Sequence, residues 1–270
     1  MFANVCTTES EAHGVIREEF RVDKLDVSVA ETAVNAGALA GEATASWLRE
    51  ATSGGEIVSV VFAAAPSQLR MLEYLRQAPG INWSRVHAFH MDEYLDLPVG
   101  APQRFGTWLT DALFAHLPFG KVTLMRTEGP LEQCASDYAE ALGPGPVDLV
   151  CLGIGENGHL AFNDPPLADL EDSQALRVVE LDGVSRQQQV NDGLFSALAE
   201  VPRRALTLTI PRLLNSRRIV GTAPGRAKRE AVRQALFGEV SMACPASVLR
   251  RHPNAQLFLD GESFPIRQTV

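Results

Sequence analysis

Two short apolar runs constrain the fold of this chain more than any other feature. Residues 56–62 (EIVSVVF) and 147–152 (VDLVCL) are close to continuous rather than alternating in polarity. A strand that reads this way is buried on both faces, which is the signature of a parallel sheet covered by helices. Helical spacing follows the first run, with Leu69, Leu72 and Leu75 inside residues 66–78. Further strands are expected at 85–89, 205–210 and 218–221. Helices are expected at 29–52, which is rich in alanine, at 105–117 and at 225–237. The alternation predicts one α/β domain over residues 1–270, with a lid-like excursion between Pro165 and Pro202. In such sheets ligands bind beyond the carboxyl ends of the strands. The informative positions are therefore those just after Phe62, Phe89, Leu152 and Val220.

Composition removes several function classes. The chain has 270 residues, 46% of them hydrophobic, which is enough to bury a core without a disulfide or metal staple. Its formal charge is −9, and its arginine pairs are short and scattered, so neither nucleic acid nor an anionic membrane is an expected partner. A single phosphate needs only a few local donors, and a small anionic substrate stays open. The four cysteines form no CxxC pair and no metal-type pairing with histidine, and Cys151 reads as a small core residue. Residues 1–14 lack a basic region followed by an apolar one, and no apolar stretch is long enough to span a bilayer. A soluble, cytoplasmic protein is expected.

Chemistry gathers at the strand exits. After Phe89 comes His90-Met91-Asp92-Glu93-Tyr94. A carboxylate there, beside Phe89 and Met91, would be desolvated and more basic, as a general base requires. Taken alone, the acidic pair reads better as a solvated loop with a helix N-cap, since short acidic pairs are common in loops. After Leu152 comes Gly153-Ile154-Gly155-Glu156-Asn157-Gly158-His159, closed by Phe162-Asn163-Asp164-Pro165. The glycines allow close backbone approach to a ligand, Gly158 among them. The spacing imitates a dinucleotide fingerprint, but Phe-Asn-Asp-Pro stands where a helix should begin. His159 with Asp164 five residues on reads better as an imidazole held for proton transfer. After Val220 a glycine-bearing turn leads into a helix with Lys228 in its first turn. That is a place for an anion, or equally an exposed surface lysine.

Together these segments resemble the glucosamine-6-phosphate deaminase/isomerase family. That family carries F-N-M-D-E-Y, then G-x-G-x-(D/N)-G-H-x-x-F-N-E-P, then a late glycine-bearing turn with a lysine. The match runs over residues 57–260, with both long motifs in order. The resemblance implies a Rossmann-like, three-layer α/β sandwich with a mostly parallel central sheet. It implies no metal and no organic cofactor, and an amino-sugar phosphate converted to a ketose phosphate and ammonia. Carried over by position, Asp92 is the base that moves a proton between C2 and C1. His159 opens the pyranose ring, Asn157 and Asp164 orient it, and Lys228 holds the phosphate. Ser67, Glu93 and Gly158 are further substrate-side candidates. A homo-oligomer is compatible with the family.

The chain also departs from that pattern. The first phosphate loop is Ala63-Ala64-Ala65-Pro66-Ser67 where the family has glycines, which leaves Ser67 and the helix N–H groups as its donors. The motif glutamate is Asp164, one methylene shorter. A lid arginine has no direct counterpart: an ungapped count from Val201 lands on Asp192, and Arg186 would substitute only through a shifted loop. The basic residues linked to allosteric activation in some members are not recognisable, which predicts an unregulated enzyme or a related substrate. The sister 6-phosphogluconolactonase family shows Asp-Glu-Arg where this chain has Asp92-Glu93-Tyr94, and it lacks the Phe-Asn-Glu-Pro extension. A lactonase-type hydrolase and a non-catalytic sugar-phosphate sensor are the alternative readings.

Overall fold

The computed structural model describes residues 16–264. A central sheet of eight strands contains β1 (Ile16–Val22), β2 (Leu25–Ala30), β3 (Val58–Phe62), β4 (Val86–His90), β6 (Lys121–Val122), β7 (Leu149–Gly153), β10 (Ile219–Thr222) and β11 (Ala255–Asp260). Their spatial order is β1-β2-β11-β10-β7-β3-β4-β6. Every neighbouring pair is parallel except β1–β2. A second, antiparallel sheet has the order β5-β9-β8, from β5 (Asp92–Tyr94), β8 (Leu176–Glu180) and β9 (Arg204–Leu208).

The near-continuous apolar runs make sense once both sheet faces are seen to be covered. Val58, Val60, Phe62, Leu149, Cys151 and Val220 point into one core. That core is closed by α1 (Ala33–Ser53), α2 (Leu69–Gln77) and α3 (Phe105–Ala112). Val61, Val150, Leu152 and Ile219 point into the other. Its covering elements include α4 (Leu131–Leu142), α6 (Ile210–Leu214) and α7 (Arg229–Phe237). The result is the expected three-layer α/β arrangement with a mostly parallel sheet. Among the described residues no helix is long and apolar enough to cross a membrane.

Three expectations need correction. Val29 and Ala30 end β2 rather than open the first helix, because Leu25, Val27 and Val29 alternate inward as strand residues and Thr32 caps α1 by accepting from Asn35 N–H. The strand expected over 205–210 runs over Arg204–Leu208, with Thr209 capping α6 at Ile210, and it lies in the small antiparallel sheet, where Asp92 pairs with Thr207. The helix expected over 105–117 ends at Ala112 and continues as one 3₁₀ turn over Phe114–His116. Part of the unassigned N-terminal segment is the edge strand β1, while residues 1–15, Cys6 included, lie outside the described residues. The excursion after Pro165 holds β8 and α5 (Gly183–Asn191).

Candidate active site

The carboxyl ends of β3, β4, β7 and β10 converge on one cavity, as the parallel-sheet rule requires. Ser67, Asp92, His159 and Lys228 all line it. These four come from four separate segments, and the sheet order brings them together.

Asp92 starts β5 directly after β4. Its carboxylate is 6% exposed and makes no hydrogen bond among the described residues. Burial, then the neighbouring charges of Glu93 and Asp164, push its pKa well above the ordinary carboxylate range. A carboxyl left in this state is a stronger base than a solvated one, which is what proton abstraction from carbon needs. Beneath it His90 is fully buried and acts as a strut. Its Nε2 accepts from Met125 N–H at 2.8 Å, so its Nδ1 donates to the Asp92 carbonyl at 2.9 Å. Burial drives the His90 pKa down to about 4, so the ring is neutral and the tautomer is fixed.

His159 sits in the glycine-rich turn after β7. Its Nδ1 lies 3.1 Å from Asp164 Oδ1, and the Ser185 hydroxyl lies 3.4 Å from the same nitrogen. Asn157 ties the turn together: its Oδ1 accepts from His159 N–H at 3.1 Å and its Nδ2 donates to Asp164 Oδ1 at 3.1 Å. Burial opposes the Asp164 charge. The bonds from His159, Asn157 and Asp182 N–H outweigh it and leave the carboxyl below its ordinary range. An ionised Asp164 on Nδ1 fixes the ring's tautomer and leaves Nε2 for a reacting group. The shortening from glutamate to aspartate therefore does not break the contact. Asn163 serves the loop rather than the cavity, its amide donating to the carbonyls of Leu160 and Leu208.

Asp164→Asn should lower turnover by about 100-fold while leaving the fold intact, because the amide can present the wrong hydrogen-bonding atom to Nδ1. The check is steady-state kinetics beside a thermal melt. Unchanged turnover would remove Asp164 from the proton-transfer unit.

Lys228 closes a 3₁₀ turn and precedes α7, at the exit of β10. It is 7% exposed. Burial lowers its pKa, and the Asp192 and Glu156 carboxylates oppose that fall. The loops after β3 and β10 are locked to each other, since Gln68 Nε2 donates to Thr222 Oγ1 at 2.7 Å and Thr222 Oγ1 donates to the Ser67 carbonyl at 3.3 Å.

Three candidates do not face the cavity. Glu93 is 1% exposed and accepts from the backbone N–H groups of Tyr94, Phe105 and Gly106, with Arg104 at 3.6 Å. It caps the start of α3, so its carboxylate has no free edge for a substrate. Arg186 donates to the carbonyls of Leu198 and Val201, at 2.6 and 2.9 Å, and braces the end of the excursion instead of replacing a lid arginine. Gly158 has φ +86° and lies behind the turn, where its carbonyl accepts from Ala246 N–H at 2.8 Å. It shapes the loop that carries His159. Conversely, α5 brings Gln188, Gln189 and Asp192 to the cavity wall. The one signal for them in the sequence is a run of polar residues with no apolar stripe, and that is also how a solvated surface helix reads. Among the described residues no group of three or more His, Cys, Asp or Glu is placed to hold a metal ion.

Comparison with known proteins agrees with this arrangement. Residues 28–258 match the family model of glucosamine-6-phosphate isomerases/6-phosphogluconolactonase. Glucosamine-6-phosphate deaminase of Bacillus cytotoxicus is 37% identical over 188 residues, 69% of this chain and 70% of that one. The deaminase of Bacillus cereus strain B4264 is 35% identical over 187 residues, with the same shares of 69% and 70%. Among solved structures, a monomeric glucosamine-6-phosphate deaminase superposes with a TM-score of 0.80 at 26% identity, covering 88% of this chain and 98% of that one. The 6-phosphogluconolactonase of Thermotoga maritima superposes with a TM-score of 0.69 at 20% identity, covering 88% and 100%, a likeness of fold.

Proposed function

The chain belongs to the glucosamine-6-phosphate isomerase/6-phosphogluconolactonase family, and we propose that within it this enzyme is an isomerising deaminase of an amino-sugar phosphate. Glucosamine 6-phosphate and water would give fructose 6-phosphate and ammonia. The observation that supports this reading is one cavity holding two different proton carriers. One is a buried carboxylate without partners, Asp92, and the other is an imidazole oriented by a carboxylate, His159. A sensor needs neither.

Each step has a residue of the right type. His159 moves a proton from the anomeric hydroxyl to the ring oxygen, and the pyranose opens to the aldehyde. Asp92 takes the proton from C2 while the C2 ammonium passes one of its protons to O1, leaving a planar enolamine, and Asp92 then returns its proton to C1. The C2 iminium that results adds water and expels ammonia, so the ketone oxygen comes from water. Lys228 and the Ser67 hydroxyl supply donors to the phosphate. Lys228→Ala should raise KM for the sugar phosphate about tenfold, and an unmoved KM would place the phosphate elsewhere.

The deciding experiment is incubation of the purified protein with glucosamine 6-phosphate, following ammonia and fructose 6-phosphate together. Equimolar release of both is expected. Hydrolysis of 6-phosphogluconolactone with no ammonia from any amino sugar would overturn the reading in favour of a lactonase.

A further inference from the structure

The side of the cavity around Lys228 is poorly furnished for a dianion. Lys228 has no side-chain hydrogen bond or ion pair among the described residues. Facing the same space is the carboxylate of Asp192. Asp192 closes the end of α5, and its position is built: Gln188 Nε2 donates to its Oδ2 at 3.2 Å, and Gln188 Oε1 of the same side chain accepts from Glu156 N–H at 2.9 Å. That chain fixes Asp192 to the turn that carries His159. Ala63, Ala64 and Ala65 line the wall without a polar side chain, which leaves Ser67 as the one hydroxyl of that loop. A phosphate monoester carries about −1.5 to −2 charges at neutral pH. It would meet one side-chain cation, the Ser67 hydroxyl and the backbone N–H groups of the loop, with the Asp192 and Glu156 carboxylates close to Lys228, and repulsion from the Asp192 carboxylate on the wall offsets part of what the cation provides.

We infer that Asp192 is a specificity-determining residue of this cavity, a carboxylate that weakens its preference for phosphate esters and widens its substrate class to amino sugars whose C6 end is uncharged. An uncharged C6 hydroxyl can donate to Asp192 and bond the Gln189 amide, which is 5% exposed and lines the wall. No dianion then has to be desolvated beside a like charge. The inference rests on the deaminase reading for its substrate and on the cavity alone for its electrostatics.

The test uses Asp192→Asn, which retains an oxygen to accept from Gln188, with Asp192→Ser as a second variant. Ammonia release is followed from glucosamine 6-phosphate and from glucosamine. In both variants the ratio of kcat/KM for the ester to that for the free sugar should rise about tenfold over the wild-type ratio. Calorimetric titration with inorganic phosphate should show a Kd lower by a similar factor. An unchanged ratio with an unchanged phosphate Kd overturns the inference. Should no protein release ammonia, the deaminase reading fails, and the phosphate titration still decides whether Asp192 opposes the anion.

Discussion

Asp92→Asn should reduce turnover by about 1,000-fold or more and make the protein more stable at neutral pH. The asparagine keeps the shape and cannot accept a proton, so binding of the sugar should change little while kcat collapses. The stability gain follows from linkage. Burial raises the folded pKa of Asp92 well above its ordinary value, which is about 3.9 in an unfolded chain. Between those two values the native protein holds a proton that the unfolded chain has released. Stability contributed by the neutral acid is therefore fully present below the unfolded pKa and lost as pH rises through the folded one. The variant has no such loss. Its melting temperature should exceed that of the wild type at neutral pH, and the difference should shrink toward zero as the pH approaches about 4. A variant that melts lower than wild type at neutral pH would show that Asp92 is not a desolvated base. The same shift sets the pH profile: kcat/KM should fall on the acid side through a pKa above the ordinary carboxylate range.

Gly155→Ala should be nearly as damaging, through His159 alone. A Cβ at Gly155 would lie 2.2 Å from His159 Cε1 and 2.3 Å from both ring nitrogens, inside any real contact distance. The ring is a side chain and can swing away, which spares the fold and breaks its bond to Asp164. Turnover on the cyclic sugar should drop about 100-fold, with much less loss on an analogue that cannot close into a ring. The Asp164-bonded imidazole proton should leave the downfield proton NMR spectrum. Gly54→Ala is the control, since a Cβ there meets nothing within 4 Å. Equal losses on cyclic and open substrates would mean that His159 serves some step other than ring opening.

The legible part of this protein was local. Apolar runs at residues 56–62 and 147–152 announced buried parallel strands, because two covered faces leave no polar side to alternate with. The same runs located the cavity, since in a parallel sheet all carboxyl ends open in one direction. Asp92, His159 and Lys228 could be found at those ends because each lies within a few residues of its strand. Asn157 and Asp164 could be found because the turn that holds them is itself only a few residues long.

What stayed hidden depends on contacts between distant segments. Residues 205–210 read as another strand of the main sheet, since a short run carries its own propensity but not the identity of the strands it pairs with. The partners are Asp92–Tyr94, more than a hundred residues earlier, and Leu176–Glu180. Glu93 stood beside Asp92 in sequence, yet alternation along β5 turns it the other way, onto the N–H groups of α3. Arg186 and Asp192 are six residues apart, and nothing in their spacing says which one faces the substrate. The packing of α5 against the His159 turn decides it. Sequence by itself determined the layers, the strand exits and the residues that stand at those exits, because short-range patterning encodes them. The tertiary structure alone decided which charges share the cavity, because electrostatics acts through space and the chain folds remote carboxylates into range.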